Sequence, residues 1–128
     1  IFTYLVSPSL IMHLVFRSIS DRRYISRIPE RFGFYEKQNN NETIWVHAVS
    51  YGEVNAAQSL VRSLLEDYPD SKLIFTCTTP TASALIEDLF QDKVISVYLP
   101  YDLKGPVKRF FERAKPKMAI IIETEIWP

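Results

Sequence analysis

Residues 44–53, IWVHAVSYGE, decide the fold. Residues 44–49 form a short apolar, β-branched run, the pattern of a strand buried on both faces. Ser50-Tyr51-Gly52-Glu53 breaks that run. Val54, Ala57, Val61, Leu64 and Leu65 then recur at helical spacing until Tyr68-Pro69-Asp70 stops the helix. The alternation repeats downstream. Residues 73–77 read as a second strand and Thr78-Thr79-Pro80-Thr81 as a turn with Thr81 as N-cap. Leu85, Ile86, Leu89 and Phe90 form the next apolar stripe. Residues 94–99 are the third strand. Leu103, Val107, Phe110, Phe111 and Ala114 mark a helix closed by Lys115-Pro116, and residues 118–122 are the fourth strand. The order βαβαβαβ with continuous apolar strands predicts an α/β fold, a parallel sheet with helices on both faces. With right-handed crossovers it is half of a Rossmann-like, doubly wound domain.

Such sheets bind ligands beyond the carboxyl ends of their strands. The candidates there are Ser50-Tyr51-Gly52-Glu53, Thr78-Thr79-Pro80-Thr81, Tyr101-Asp102 and Glu123-Thr124-Glu125. A single glycine rules out a dinucleotide fingerprint in the first turn. Gly52 allows a tight turn or close approach of a ligand to the backbone. Glu53 either complements a helix dipole or acts as a general base facing the crevice. Thr79, Pro80 and Thr81 read first as a helix start, and Asp102 as an N-cap before Leu103. Glu123 and Glu125 stand at period-two spacing and should share a side of their strand, an arrangement costly unless solvated, hydrogen-bonded or used. His47 reads as a satisfied core or ledge residue, and Cys77 as a buried small hydrophobe.

Composition narrows the function classes. The chain has 128 residues, with 15 Lys and Arg against 15 Asp and Glu, which argues against a nucleic-acid partner. One cysteine and two histidines leave no disulfide framework and no expected metal site. Charge is nevertheless uneven. Residues 17–31 carry five arginines against Asp21 and Glu30, and residues 104–117 carry six Lys or Arg against Glu112.

Residues 1–16, IFTYLVSPSLIMHLVF, contain no formally charged side chain, and Arg17, Arg22, Arg23 and Arg27 follow them. That boundary suggests a membrane anchor or interfacial helix over residues 1–19, with the arginines on the cytoplasmic side. Residues 20–43 then read as a basic connector ending in the loop Gln38-Asn39-Asn40-Asn41, and residues 44–128 as the Rossmann-like domain, incomplete because the sequence reads as a piece of a longer protein.

Four motifs in order resemble the N-terminal half of the bacterial 3-deoxy-D-manno-octulosonic acid (Kdo) transferases. They are WVHAVSYGE at 45–53, TTPT at 78–81, YLPYD at 98–102 and IETEIWP at 122–128, with Arg31-Phe32-Gly33 upstream. The resemblance implies a GT-B glycosyltransferase at the cytoplasmic face of the inner membrane. It implies transfer of Kdo from CMP-Kdo to a lipid A precursor in lipopolysaccharide synthesis, with inversion and with no bound metal or cofactor. The acceptor would sit on this N-terminal part and the donor mainly on an absent C-terminal domain. Glu53 matches the family's proposed base. Ser50, Gly52, Thr79, Pro80, Thr81, Asp102, Glu123 and Glu125 would line the acceptor side. Tyr51 departs from the pattern, where a smaller aliphatic residue is expected, and so does Cys77. Another membrane-associated GT-B enzyme, or a non-enzymatic membrane-bound binding module, is the competing expectation.

Overall fold

β-branched and aromatic residues concentrate in four short segments, and these pair into one parallel sheet. The computed structural model describes residues 12, 16, 27–37 and 42–123. The strands are β1 (Thr43–Ala48), β2 (Lys72–Cys77), β3 (Ile95–Tyr98) and β4 (Pro116–Ile122), in the spatial order β3-β2-β1-β4. All three pairings are parallel. The chain therefore moves outward from β1 to β3, then returns across β1 to place β4 on its other side. That reversal makes the β1–β4 boundary the switch point of the sheet.

Helix α1 is the single turn Ile28–Arg31. After β1 come α2 (Tyr51–Ala56) and α3 (Gln58–Asp67), where the sequence suggested one helix. Ala57 between them keeps near-helical angles, and its N–H still bonds Glu53 O, so the interruption is slight. Helix α4 (Pro80–Phe90) continues into a 3₁₀ turn at Gln91–Lys93, and α5 (Lys104–Ala114) leads into β4.

Two helix starts differ from expectation. The N-cap of α4 is Thr79, not Thr81: its hydroxyl accepts from the Ala82 N–H at 3.3 Å. Pro80, with no N–H to satisfy, takes the first helical position, which fixes the cap one residue earlier. The N-cap of α5 is Leu103 without a side-chain cap, and Asp102 is exposed. Leu103 is 4% exposed, so burying it in the core decides the start of this helix over the polar cap. Strand β4 also begins at Pro116 rather than at Met118, with a register shift opposite Thr43 and Ile44.

The two faces of the sheet carry separate cores. Ile44, Val46, Ala48, Leu73, Phe75 and Cys77 point to one face, beneath Val54, Ala57 and Val61 of the α2–α3 region and Ala82, Ile86 and Phe90 of α4. Ile74 and Val97 point to the other, beneath Phe110 and Ala114 of α5, with Trp45 and Tyr35 packed alongside. Cys77 is fully buried, as its sequence context suggested. Each fully buried Phe or Leu contributes about 1.5–3 kcal/mol of transfer free energy, so these faces dominate stability.

Residues 27–35 of the expected connector are built into this second layer. Arg109 Nε donates to Phe32 O at 2.8 Å, Arg113 Nη1 donates to Tyr35 O at 2.8 Å, and Tyr35 donates its hydroxyl to Phe110 O at 3.1 Å. Gly33 has φ of +80°, and a Cβ there would lie 2.6 Å from Pro106 O. Two of the basic residues of α5 thus hold the upstream segment, while Lys108 pairs with Glu112 and Lys117 with Glu42.

Arg27 and Glu30 seal the outer edge of β3. Arg27 Nη2 donates to Ser96 O at 2.7 Å, and the Tyr98 N–H donates to Glu30 Oε2 at 2.9 Å. The two side chains form an ion pair at 2.8 Å, so together they supply the donor and acceptor that one residue of a neighbouring parallel strand would supply.

The apolar segment 1–16, apart from Met12 and Phe16, lies outside the described residues, as do Arg17, Arg22, Arg23, the loop at 38–41 and Glu125. Among the described residues no helix is long and apolar enough to cross a membrane.

Candidate functional site

The switch point between β1 and β4 defines where a ligand crevice forms, and the residues following those strands supply its walls. On the β1 side, Ser50 is in extended conformation and α2 starts at Tyr51, which places Glu53 in the first helical turn. Its side chain folds back onto the strand end. Oε2 accepts from the Val49 N–H at 2.7 Å and from the Ser50 N–H at 3.2 Å. Oε1 has no hydrogen bond to any described residue. Half-buried and pinned through one oxygen, Glu53 can cap its helix and still offer the other oxygen to a proton donor.

Gly52 does not serve a strained turn, because its φ is not positive and a Cβ there would meet nothing within 4 Å. Tyr51, the departure from the expected pattern, is 54% exposed and turned toward solvent.

On the β4 side, Glu123 directly follows the strand and is exposed. Ile121 is paired in register with His47, so strand alternation places Glu123 on the His47 side. Its expected companion Glu125 lies outside the described residues.

The loop after β2 is stitched to the loop after β1. Thr78 donates both its N–H, at 3.3 Å, and its hydroxyl, at 3.0 Å, to Val49 O. Thr79 and Thr81 hydroxyls lie 3.3 Å apart at the start of α4, where Pro80 is buried, so this trio is engaged in starting the helix. Asp102 stands beyond β3, two strands from the switch point. The structure thus groups Ser50, Gly52, Glu53 and Glu123 around the crevice, with Thr79, Pro80 and Thr81 one strand away and Asp102 at the far edge.

Two side chains not counted among the sequence candidates stand near the carboxyl ends of the strands. His47 is buried near the end of β1, with Nδ1 2.8 Å from Thr76 Oγ1. Burial pushes its pKa below the ordinary histidine value, against the opposing pull of the Thr76 backbone and then of the Glu123 and Glu53 charges. The hydrogen bond agrees with a satisfied core residue; the two carboxylates place that residue beside the crevice. Arg31 is 5% exposed, lies over the Tyr98 ring at 4.2 Å and donates to Thr78 O at 2.9 Å. Only the Arg31-Phe32-Gly33 motif hinted at it.

Among the described residues no group of three or more His, Cys, Asp or Glu side chains is arranged to hold a metal ion. A hollow of about 470 Å³ lined by Arg62, Tyr68, Lys72 and Asp92 lies at the amino ends of β2 and β3. That is the wrong end of the sheet for the switch-point crevice, so topology rather than hollow size locates the candidate site.

Fold and crevice together define a Rossmann-like α/β domain that presents carboxylates at its switch point. The chain belongs to the 3-deoxy-D-manno-octulosonic-acid transferase (kdotransferase) family, whose model matches residues 26–128. It is 41% identical over 123 residues to the 3-deoxy-D-manno-octulosonic acid transferase of Haemophilus influenzae, a match covering 94% of this chain and 29% of that protein. It is 35% identical over 127 residues to a probable mitochondrial 3-deoxy-D-manno-octulosonic acid transferase of Arabidopsis thaliana, covering 98% and 28%. A Bordetella pertussis protein of the same description is 41% identical over 90 residues, 66% of this chain and 21% of its own length. The chain spans less than a third of these relatives. No solved structure gives a significant match.

Proposed function

We propose that this chain is the acceptor-side, N-terminal part of an inverting GT-B glycosyltransferase that transfers Kdo from CMP-Kdo to a lipid A precursor in lipopolysaccharide biosynthesis. The observation that carries the reading is the Glu53 carboxylate, fixed through Oε2 at the switch point with Oε1 unbonded among the described residues. In the reaction, Glu53 Oε1 takes the proton of an acceptor hydroxyl. That oxygen forms the bond to the anomeric carbon of Kdo while the bond to the CMP phosphate oxygen breaks, and CMP leaves from the opposite face. General-base assistance of this kind typically contributes about 10²–10⁴-fold.

Ser50, Gly52 and Glu123 face the acceptor across the crevice, with Thr79, Pro80, Thr81, Asp102 and Glu125 contributing from its margins. CMP-Kdo is held mainly by the portion of the relatives' length that this chain does not span. Residues 1–19 attach the enzyme to the cytoplasmic face of the inner membrane. Met12 and Phe16, four residues apart and both helical, expose apolar side chains suited to that contact. Arg17, Arg22 and Arg23 would meet anionic lipid, whereas Arg27 is occupied by Glu30, Ser83 and Ser96.

The test is transfer by the full-length protein, incubated with CMP-Kdo and a lipid A precursor and read by mass spectrometry of the lipid. A product heavier by one or more Kdo residues supports the proposal. Acceptor binding without any transfer would favour a non-enzymatic module instead.

A further inference from the structure

The two carboxylates of the proposed acceptor crevice can only accept hydrogen bonds from a sugar, and beside the Ser50 hydroxyl the buried His47 ring is a second side chain there that can donate. The state of its ring follows from its neighbours. Thr76 Oγ1 receives the Trp45 Nε1–H at 2.8 Å, and an indole nitrogen is a donor only. The Thr76 hydroxyl hydrogen then has two acceptors within reach, His47 Nδ1 at 2.8 Å and Val46 O at 3.5 Å. The other arrangement, with Nδ1–H donating to the second lone pair of Oγ1, leaves the hydroxyl hydrogen only Val46 O at 3.5 Å, a weak bond, whereas giving that hydrogen to Nδ1 provides it with a partner at 2.8 Å. An Nδ1 that accepts carries no hydrogen, which leaves the neutral ring protonated at Nε2. Nε2 makes no hydrogen bond to any described residue.

We infer that His47 is a substrate-positioning residue, locked by Trp45 and Thr76 as the neutral Nε2–H tautomer and donating to an acceptor oxygen at the β1–β4 switch point. This rests on the transferase reading of the same crevice. It assigns His47 the one hydrogen-bond sense that Glu53 and Glu123 lack, and it denies the imidazole a role as general base, because its donor nitrogen is the one facing outward from the Thr76 lock. Burial, which disfavours the imidazolium, keeps the donor in its neutral form.

The tautomer is read first, by ¹⁵N NMR of this chain labelled at histidine. Only His13 and His47 contribute, and His13→Gln assigns the signals. A protonated Nε2 with an unprotonated Nδ1 is expected at neutral pH, and Thr76→Val should release the ring into a mixture. A protonated Nδ1, or a tautomer indifferent to Thr76→Val, overturns the lock. Substrate contact is then read in the full-length protein. His47→Ala should lower kcat/KM by about tenfold, the scale of one lost hydrogen bond. His47→Gln, whose amide nitrogen reproduces the Nε2 donor, should restore most of it, with thermal melting confirming that both variants fold. Wild-type rates in His47→Ala, or equal losses in Ala and Gln, overturn the positioning role. Wild-type protein unable to transfer Kdo at all would overturn the transferase reading and the substrate contact with it, while the tautomer measurement would still decide the lock.

Discussion

The backbone N–H of Val49 donates to Glu53 Oε2 at 2.7 Å, joining the first residue after β1 to the first turn of α2. One carboxylate oxygen is thereby committed to structure, and its twin makes no hydrogen bond to a described residue. Under the proposed reading the cap and the base, which look like competing roles in the sequence, belong to different atoms of the same side chain.

Glu53→Gln separates those atoms. Glutamine keeps a carbonyl oxygen for the Val49 and Ser50 N–H groups, so folding should weaken only by about 0.3–1 kcal/mol through loss of charge at the helix start. Turnover of the full-length enzyme should fall by roughly 10² or more. Urea titration and initial rates measure the two effects, and near-native turnover would move the base to Glu123.

Gly33→Ala should destabilise the chain by more than about 2 kcal/mol. A left-handed backbone costs an alanine roughly 1–2 kcal/mol, and its Cβ would also meet Pro106 O at 2.6 Å, a rigid helical carbonyl. A chemical denaturation midpoint unchanged from wild type would contradict the packing of residues 27–35 on α5.

Cys77 should resist thiol reagents in the folded protein. Burial pushes its pKa up to about 11, so at pH 8 the thiolate is scarce as well as inaccessible. The sign for stability follows. The unfolded thiol ionises near its ordinary value, about 8.5–9, and the folded one higher, so the contribution is fully present below that range and is lost as pH rises toward 11. Labelling with a chromogenic disulfide at pH 8 should be slow in buffer and fast in urea; equal rates would place the thiol outside the core.

Removing residues 1–16 from the full-length protein should shift it from the membrane to the soluble fraction. Fractionation that leaves the distribution unchanged would assign attachment to other surfaces.

The strands were legible because a buried parallel strand is a continuous apolar run, and four such runs with amphipathic stretches between them admit few arrangements. Their ends were less so. Thr81 and Asp102 have good capping chemistry, but Pro80 and the burial of Leu103 set the helix starts, and burial outweighs a cap worth about 1 kcal/mol. The basic stretch of α5 showed in the sequence only as an excess of charge, because nothing local shows that Arg109 and Arg113 reach carbonyls nearly 80 residues upstream in sequence. At the site, Glu53 stood out from its place after a strand. His47 did not, since its partner Thr76 is on another strand and meets it only through the β1–β2 register.

The borrowed ladder that Arg27 and Glu30 lay along β3 gives the sheet a direction of growth. A second copy of the chain, or a partly folded one during synthesis, finds its main-chain groups at Ser96 and Tyr98 already engaged on that margin. Lateral accretion, the usual hazard of a bare strand, is steered away from β3, and any addition to the sheet falls to the β4 flank. The crevice would then lie in the interior of the enlarged sheet, protected from the aggregation that threatens its rim. Arg27→Ala would be expected to open the guarded margin first, so the ion pair acts as a safeguard of solubility as well as a fastening of the fold.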